Sequence, residues 1–342
     1  MERHFQKFVT SIPNRVGKVM KVFWNENYTS IKYDFDTSRK SDNIVNLISK
    51  TILETPAKVR ALQDVPTIEI VDPEKATDIS KTEQLIKRWL HPQYFEALKT
   101  NNNTRLSESQ GFEWCPNTYK FARAHTHGLI ASVDEVLAKG GRSGSLSSGL
   151  HHASKTSGAG FCTINGIALS AIYAYEQGLE PIVLDFDAHC GGGTMDFLKT
   201  FNGVLQTQDK ILGKSTPPIR HIDLSTNYFD EYDIDIHEFW ANLHVLGSHE
   251  DYLDEVRKSL ALAEPHITDK TVFIYNAGID PIGSHEIDEE VITQREKIVS
   301  EFIGDRKAIF ALAGGYSGMS TTRDDVAKMH LKTIYGWSWQ TK

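Results

Sequence analysis

Cysteine is scarce in this chain: three among 342 residues, Cys115, Cys162 and Cys190. Three thiols without paired spacing exclude a disulfide framework and a zinc finger, and they point to a reducing, intracellular setting. No apolar run approaches the roughly 20 residues that a membrane span requires. Excess positive charge is missing as well. The net charge is −8, which argues against a nonspecific nucleic-acid binder, because neutralising phosphates needs a basic surface. The first residues, Met1-Glu-Arg-His-Phe-Gln-Lys-Phe8, lack the apolar core of a signal peptide. Residues 1–20 read as an N-terminal arm and 21–342 as one domain, expected in the cytoplasm or, in a eukaryote, also the nucleus. Internal repeats, low-complexity segments and convincing linkers are also absent.

What is present is a 40% hydrophobic composition, enough for a sizeable core. Helical spacing of apolar residues runs over 43–55, over 81–98 with a break near Pro92, and over 118–139, where Gly140-Gly141 ends it. Residues 166–178 are apolar on most faces and predict a buried helix. Short apolar strands are predicted at 22–24, 181–187, 221–225, 272–277 and 308–313. Strands alternating with helical segments predict a parallel sheet covered on both faces. Gly141-Arg-Ser-Gly-Ser-Leu-Ser-Ser-Gly149 reads as a small-residue loop. Residues 200–220 and 227–250 read as long excursions that shape a pocket.

The chemistry gathers where strands end. Val183-Leu-Asp-Phe-Asp-Ala-His189 carries Asp187 and His189 two residues apart, so an extended backbone points both the same way. Phe273-Ile-Tyr-Asn-Ala-Gly-Ile-Asp280 ends a second apolar strand in Asp280. In open parallel sheets, ligand sites lie beyond the carboxyl ends of the strands. Two carboxylates and an imidazole form a three-ligand site with a position left for water, the layout of a catalytic zinc centre. Iron, cobalt or manganese fit the same donors. Read alone, Asp-x-Asp-x-His is equally a strand-end turn with surface carboxylates. The accompanying groups tilt the reading toward a metal site.

Asp185 lies further inside the strand, and a buried carboxylate needs a partner. Either a histidine of the His151-His152 pair or a monovalent cation would serve. His151 and His152 supply a general base and a proton donor for a leaving amine. Tyr316, after Gly314 and Gly315, offers a hydrogen bond to a developing oxyanion. Gly160-Phe161-Cys162 places an aromatic ring where it would line a narrow channel, and Gly315 would approach a ligand closely. These groups are the equipment of a metal-assisted amide hydrolase.

The stretches His151-His-Ala153, Gly160-Phe-Cys-Thr-Ile-Asn165, Leu184-Asp-Phe-Asp-Ala-His-Cys-Gly-Gly-Gly193, Ala277-Gly-Ile-Asp-Pro281 and Gly314-Gly-Tyr316 agree in order and spacing with one family. The chain resembles the zinc-dependent histone deacetylases and their acetylpolyamine amidohydrolase relatives over roughly residues 20 to 340. The resemblance implies an arginase/deacetylase fold, an α/β domain with an eight-stranded parallel sheet between helices. It implies one Zn2+ on Asp187, His189 and Asp280. His151 and His152 would flank the attacking water, with Asp185 behind His151, and Tyr316 would polarise the acyl carbonyl. A structural K+ is implied near Asp185, Asp187, His189 and Ser225. Gly160 and Phe161 would line the acyl-lysine channel.

Departures from the family pattern also carry expectations. Gly191-Gly192-Gly193 stands where an Asp or Asn usually sits between glycines, so His152 is expected to lack its carboxylate partner and to be looser or less basic. At the pocket rim, Glu113 or Trp114 takes the place of a usual Asp, and His285-Glu286 replaces a segment that usually carries Asp-Pro. The expected reaction is hydrolysis of an N-acylated primary amine, acetyl-lysine in protein or an acetylated polyamine, to amine and acetate. Glu113 and Glu286 would favour a cationic small molecule. A catalytically silent acyl-binding protein is the alternative that Gly192 raises. A dinuclear ureohydrolase is disfavoured, because Gly191 and Ile282 stand where further metal carboxylates would be needed. No direct nucleic-acid or membrane partner is expected, and the oligomeric state is left open.

Overall fold

The computed structural model describes residues 19–31, 42–48, 68–315 and 322–338. Its frame is one sheet of eight strands: β1 (Met20–Phe23), β2 (Ile68–Val71), β3 (Arg142–Ser145), β4 (Glu180–Asp185), β5 (Arg220–Ser225), β6 (Ala241–Val245), β7 (Thr271–Gly278) and β8 (Lys307–Ala313). They lie in the order β2-β1-β3-β8-β7-β4-β5-β6, and every neighbouring pair is parallel. The longer helices are α1 (Ile79–Trp89), α2 (Pro92–Thr100), α3 (Thr118–Lys139), α4 (Gly166–Glu176), α5 (Gly192–Leu212), α6 (Tyr252–Ala263), α7 (Glu289–Ile303) and α8 (Arg323–Ser338).

Strand side chains alternate faces, and the two cores divide accordingly. Val183, Ile274 and Ile309 pack on one face with residues of α1, α3, α4 and α5. Ile182, Leu184, Phe273 and Phe310 pack on the other with residues of α6, α7 and α8. Burial on both faces is why the central strands are continuously apolar rather than alternating. No helix among the described residues is long and apolar enough to cross a membrane.

The helix expected over 81–98 is split at Pro92 into α1 and α2, and α3 covers 118–139 as its pattern predicts. Residues 42–48 are helical, while 49–55 and the arm up to residue 18 lie outside the described residues. Three expectations need correction. The small-residue stretch after Gly141 begins with strand β3, not a loop. It is small because a side chain on Gly144 would lie 2.3 Å from the ring of Phe310 on the neighbouring strand. Residues 200–212 continue helix α5, whose buried positions end at Asn202, so its second half shows no apolar stripe. The excursion 227–250 ends in edge strand β6, which is short and buried only at Ala241.

This topology places the site. Strand β4 lies between β7 and β5, with Leu184 opposite Tyr275 and Asp185 opposite Asn276. The turns that leave β4 and β7 are therefore neighbours, at the carboxyl edge where ligand sites form.

Candidate metal centre and active site

Asp187, His189 and Asp280 meet in that gap, with potential donor atoms all within 4.8 Å of one another. His189 Nδ1 stands 3.2 Å from Asp187 Oδ1 and 3.3 Å from Asp280 Oδ2. Tetrahedral zinc with bonds of about 2.0–2.1 Å has donor–donor edges of roughly 3.3 Å. The turn is rigid: the Ala188 N–H donates to Asp280 Oδ1 at 3.1 Å and the His189 N–H to Asp187 Oδ1 at 3.0 Å. Asp280 Oδ2 is buried without a hydrogen bond. A buried carboxylate oxygen in that state calls for a cation. The donor set fits a single divalent metal.

Close approach dictates the glycines around it. A side chain on Gly278 would begin 2.4 Å from Asp187 Cα, and one on Gly314 would begin 2.4 Å from Asp280 Cγ. Charge follows the same geometry. Burial opposes protonation of His189, but the adjacent Asp187 and Asp280 carboxylates outweigh this and push it up to about 10. Burial raises Asp280, with the Asp187 charge adding to the rise. A proton here and a divalent cation are alternatives, because each supplies positive charge to the same oxygens.

The histidine pair sits beside this cluster with ring centroids 4.0 Å apart. His151 and Asp185 are bound through Nδ1 and Oδ2 at 2.9 Å, while the other Asp185 oxygen accepts from Asn276 Nδ2 at 2.8 Å. His151 Nε2 lies 3.6 Å from Asp187 Oδ1. The backbone of the pair is fixed by Asn165, whose Nδ2 donates to the His151 carbonyl at 2.9 Å and to the Ala153 carbonyl at 3.2 Å. The Asn165 side-chain oxygen caps helix α4 at Ala168. Asp185 therefore takes the histidine among the two partners open to it.

The expectation that His152 lacks a carboxylate partner is overturned, while the expected lower basicity agrees with its surroundings, through burial and the neighbouring His151. The Nδ1 of His152 lies 2.9 Å from Asp230 Oδ2, so it has a carboxylate partner although residue 192 is glycine. Burial opposes protonation of His151, but the charges of Asp185 and Asp187 outweigh it and push His151 up to about 10. Burial and the nearby His151 charge hold His152 down, against the pull of Asp230.

Gly160 and Phe161 border the pair. A side chain on Gly160 would start 2.4 Å from His152 Cδ2 and 2.9 Å from Phe229 Cε1, and both Gly160 and Phe161 have left-handed backbone, φ 50° and 62°. The Phe229 ring stands edge-on to His152 at 4.9 Å and to His189 at 5.7 Å. Phe229 thus packs edge-on against both histidines, and the sequence reading missed it together with Asp230.

Glu113 and Trp114 are not brought into contact with the metal cluster. Glu113 is exposed, and the Trp114 indole N–H donates to the Leu98 carbonyl at 2.8 Å, tying it to α2. Their loop meets Phe161 through Gln110, whose carbonyl accepts from the Phe161 N–H at 2.8 Å. His285 and Glu286 are exposed in left-handed backbone, φ 46° and 60°. Gly315 has φ 82° and packs against Ile279, while Tyr316 lies outside the described residues. Ser225 donates its hydroxyl to Asp223 Oδ1 at 2.8 Å, and its carbonyl accepts from Leu246. Asp223, also missed, is pushed up to about 8 by burial and then by the charge of Asp185.

A family model, the histone deacetylase domain, matches residues 48–209, which include the His pair, Asp185, Asp187 and His189. The acetoin utilization protein AcuC of Staphylococcus aureus (strain MRSA252) is 32% identical over 137 residues, 37% of this chain and 34% of its own. Histone deacetylase clr6 of Schizosaccharomyces pombe is 30% identical over 112 residues, 32% of this chain and 28% of its own. The matched part thus spans about a third of the length of these relatives. Among solved structures, the HDA15 HD domain superposes with a TM-score of 0.67 at 16% identity, covering 93% of this chain and 88% of that one. An acetylpolyamine aminohydrolase from Burkholderia pseudomallei superposes with 0.66 at 12% identity, covering 93% and 98%. The sheet order and these superpositions establish the arginase/deacetylase fold, and residues 48–209 are similar to the histone deacetylase domain.

Proposed function

We propose that the protein is a metal-dependent deacetylase that hydrolyses an N-acylated primary amine, of the acetyl-lysine or acetylpolyamine type, to amine and carboxylate. The observation that carries this reading is one arrangement: a three-ligand cluster beside two histidines, each bound through Nδ1 to its own carboxylate. Asp187, His189 and Asp280 would hold one divalent ion, zinc by donor type. Such an ion supplies Lewis-acid polarisation of the acyl carbonyl and acidifies water.

The residues of the chain supply the rest. An ionised carboxylate only accepts hydrogen bonds, so Asp185 and Asp230 fix protons on Nδ1 of His151 and His152. The Nε2 atoms are then left to move protons. One histidine takes the proton of the attacking water and one protonates the departing amine. Tyr316 donates to the oxyanion. Gly160, Phe161 and Phe229 form the channel through which the acyl arm reaches the cluster. Exposed Glu113 and Glu286 favour a cationic amine at the rim. Potassium near Asp185, Asp187, His189 and Ser225 remains part of the reading, chiefly through backbone oxygens. The free thiols of Cys115, Cys162 and Cys190 suit a cytoplasmic setting. The case for a silent acyl-binding protein rests on Gly192, and Asp230 at His152 removes its ground.

The test is acetate release by zinc-loaded protein over acetyl-lysine peptides, longer acyl-lysines and acetylated polyamines, with a chelated control. Turnover of one class, abolished by chelation, is expected. No turnover of any class by protein carrying bound metal would contradict the proposal.

A further inference from the structure

Three glycines in a row follow the metal turn, and each faces something different. A side chain on Gly191 would begin 2.7 Å from Asp185 Oδ2, and one on Gly193 would begin 2.4 Å from the His152 backbone. A side chain on Gly192 would begin 2.5 Å from Asp230 Oδ1, 2.7 Å from its Cγ and 2.5 Å from its backbone oxygen. The Asp230 carboxylate therefore fills the space that a side chain at residue 192 would enter. Resting on the deacetylase reading above, we infer that Asp230 is the positioning carboxylate of His152, delivered from the excursion after β5 in place of an acidic side chain at residue 192.

The excursion is built to deliver it. Beyond β5 the chain runs on beside the metal turn: the Thr226 N–H donates to the Ala188 carbonyl at 2.9 Å and the Cys190 N–H to the Phe229 carbonyl at 3.0 Å. The Asn227 side chain accepts from the Phe229 N–H at 2.8 Å. Asp230 then takes left-handed backbone, φ 62°, a conformation that Asp tolerates better than most residues. That turn aims the carboxylate inward, where Oδ2 meets His152 Nδ1 at 2.9 Å and accepts from the Gly193 N–H at 3.2 Å. Two residues on, the Tyr232 hydroxyl donates to Asp223 Oδ2 at 3.2 Å, and Asp223 also accepts from the Gly191 N–H at 2.7 Å. The segment is thereby anchored on both sides of Asp230.

Gly192 and Asp230 are two halves of one device. Glycine at 192 admits the segment, and the segment returns the carboxylate that glycine lacks. Asp230 acts through His152. It holds the Nδ1–H tautomer and the ring orientation, leaving Nε2 as the nitrogen that exchanges protons.

The test uses the full chain, zinc-loaded, as wild type and as Asp230→Ala, Asp230→Asn, Gly192→Ala and the double variant of Asp230→Ala with Gly192→Ala. Imidazole nitrogen chemical shifts, assigned with a His152→Gln control, report the tautomer of His152. Turnover of the acyl amine reports kcat and KM separately. Wild type should show His152 in the Nδ1–H form. Asp230→Ala should lose that fixed form and lower kcat roughly 10- to 100-fold, with KM and zinc content unchanged. Asp230→Asn should keep the tautomer, because its amide oxygen still accepts, and should recover part of kcat. Gly192→Ala, which removes no charge, should push the segment outward and copy Asp230→Ala, and the double variant should be no worse than either single one. An unchanged His152 tautomer with unchanged kcat in Asp230→Ala overturns the inference. So do additive losses in the double variant. If wild type hydrolyses no acyl amine, the deacetylase reading fails on its own, and the nitrogen shifts still decide whether Asp230 holds His152.

Discussion

The two histidine–carboxylate pairs reach the same geometry from different parts of the fold. Asp185 belongs to a central strand, is fully buried, and has its second oxygen held by Asn276 from the neighbouring strand. Asp230 belongs to a segment outside the sheet, has a side chain 26% exposed, and sits on left-handed backbone. Both reach Nδ1 of their histidine at 2.9 Å. The contrast teaches that this chemistry asks for a carboxylate at a point in space. A strand end supplies it through the core, and a loop supplies it through hydrogen bonds to the adjoining turn.

The strand-end half should fail most severely. On the proposed function, Asp280→Ala should abolish stoichiometric metal binding and lower turnover at least about 10³-fold, since a catalytic divalent ion is worth several kcal/mol of transition-state stabilisation. Metal analysis and acetate release measured together check this. Tyr316→Phe should keep the metal and lose turnover by roughly 10²- to 10³-fold. A metal-loaded variant that stays active would remove the oxyanion role.

Stability separates the two pairs. Asp185→Ala leaves the Asn276 amide and the His151 Nδ1 without their buried acceptor, which costs about 1–3 kcal/mol for each lost partner. Asp230→Ala removes a partly exposed group and should cost about 1 kcal/mol or less. Thermal midpoints of the two variants should therefore differ by several degrees, with Asp185→Ala the lower. Equal midpoints would show that the loop pair is as structural as the strand pair.

The smallest effect concerns His221 behind Asp185. Burial, against the pull of Asp185, holds its pKa down to about 4, below the unfolded value of about 6.5. The neutral ring is favoured in the fold. Its contribution to stability is present above pH 6.5 and is lost as the pH falls toward 4. His221→Gln should flatten that part of the pH dependence of the thermal midpoint relative to wild type.

These contrasts also explain what the sequence discloses. Asp185, Asp187 and His189 are legible because a strand's period fixes their relative directions within five residues, and the apolar run before them says where the strand lies. Asp280 is legible as the end of a second such run. The sheet is legible where strands are buried on both faces, as in β4, β7 and β8. It is not legible in β3, whose small residues make room for Phe310. Asp230 is hidden for another reason. It lies 78 residues from His152 in a stretch rich in acidic and aromatic residues, and nothing local distinguishes it from Asp233 or Asp235. The three successive glycines are the one trace of it, since a chain that repeats glycine beside a crowded turn is making room for something.

The most direct measurement is a zinc titration of chelator-stripped protein, following bound metal and acetate release together. A single three-ligand centre predicts activity that rises with zinc and saturates at one ion per chain, and no saturable zinc binding in Asp280→Ala. Activity that needs two ions per chain, or that survives with none, would contradict the account.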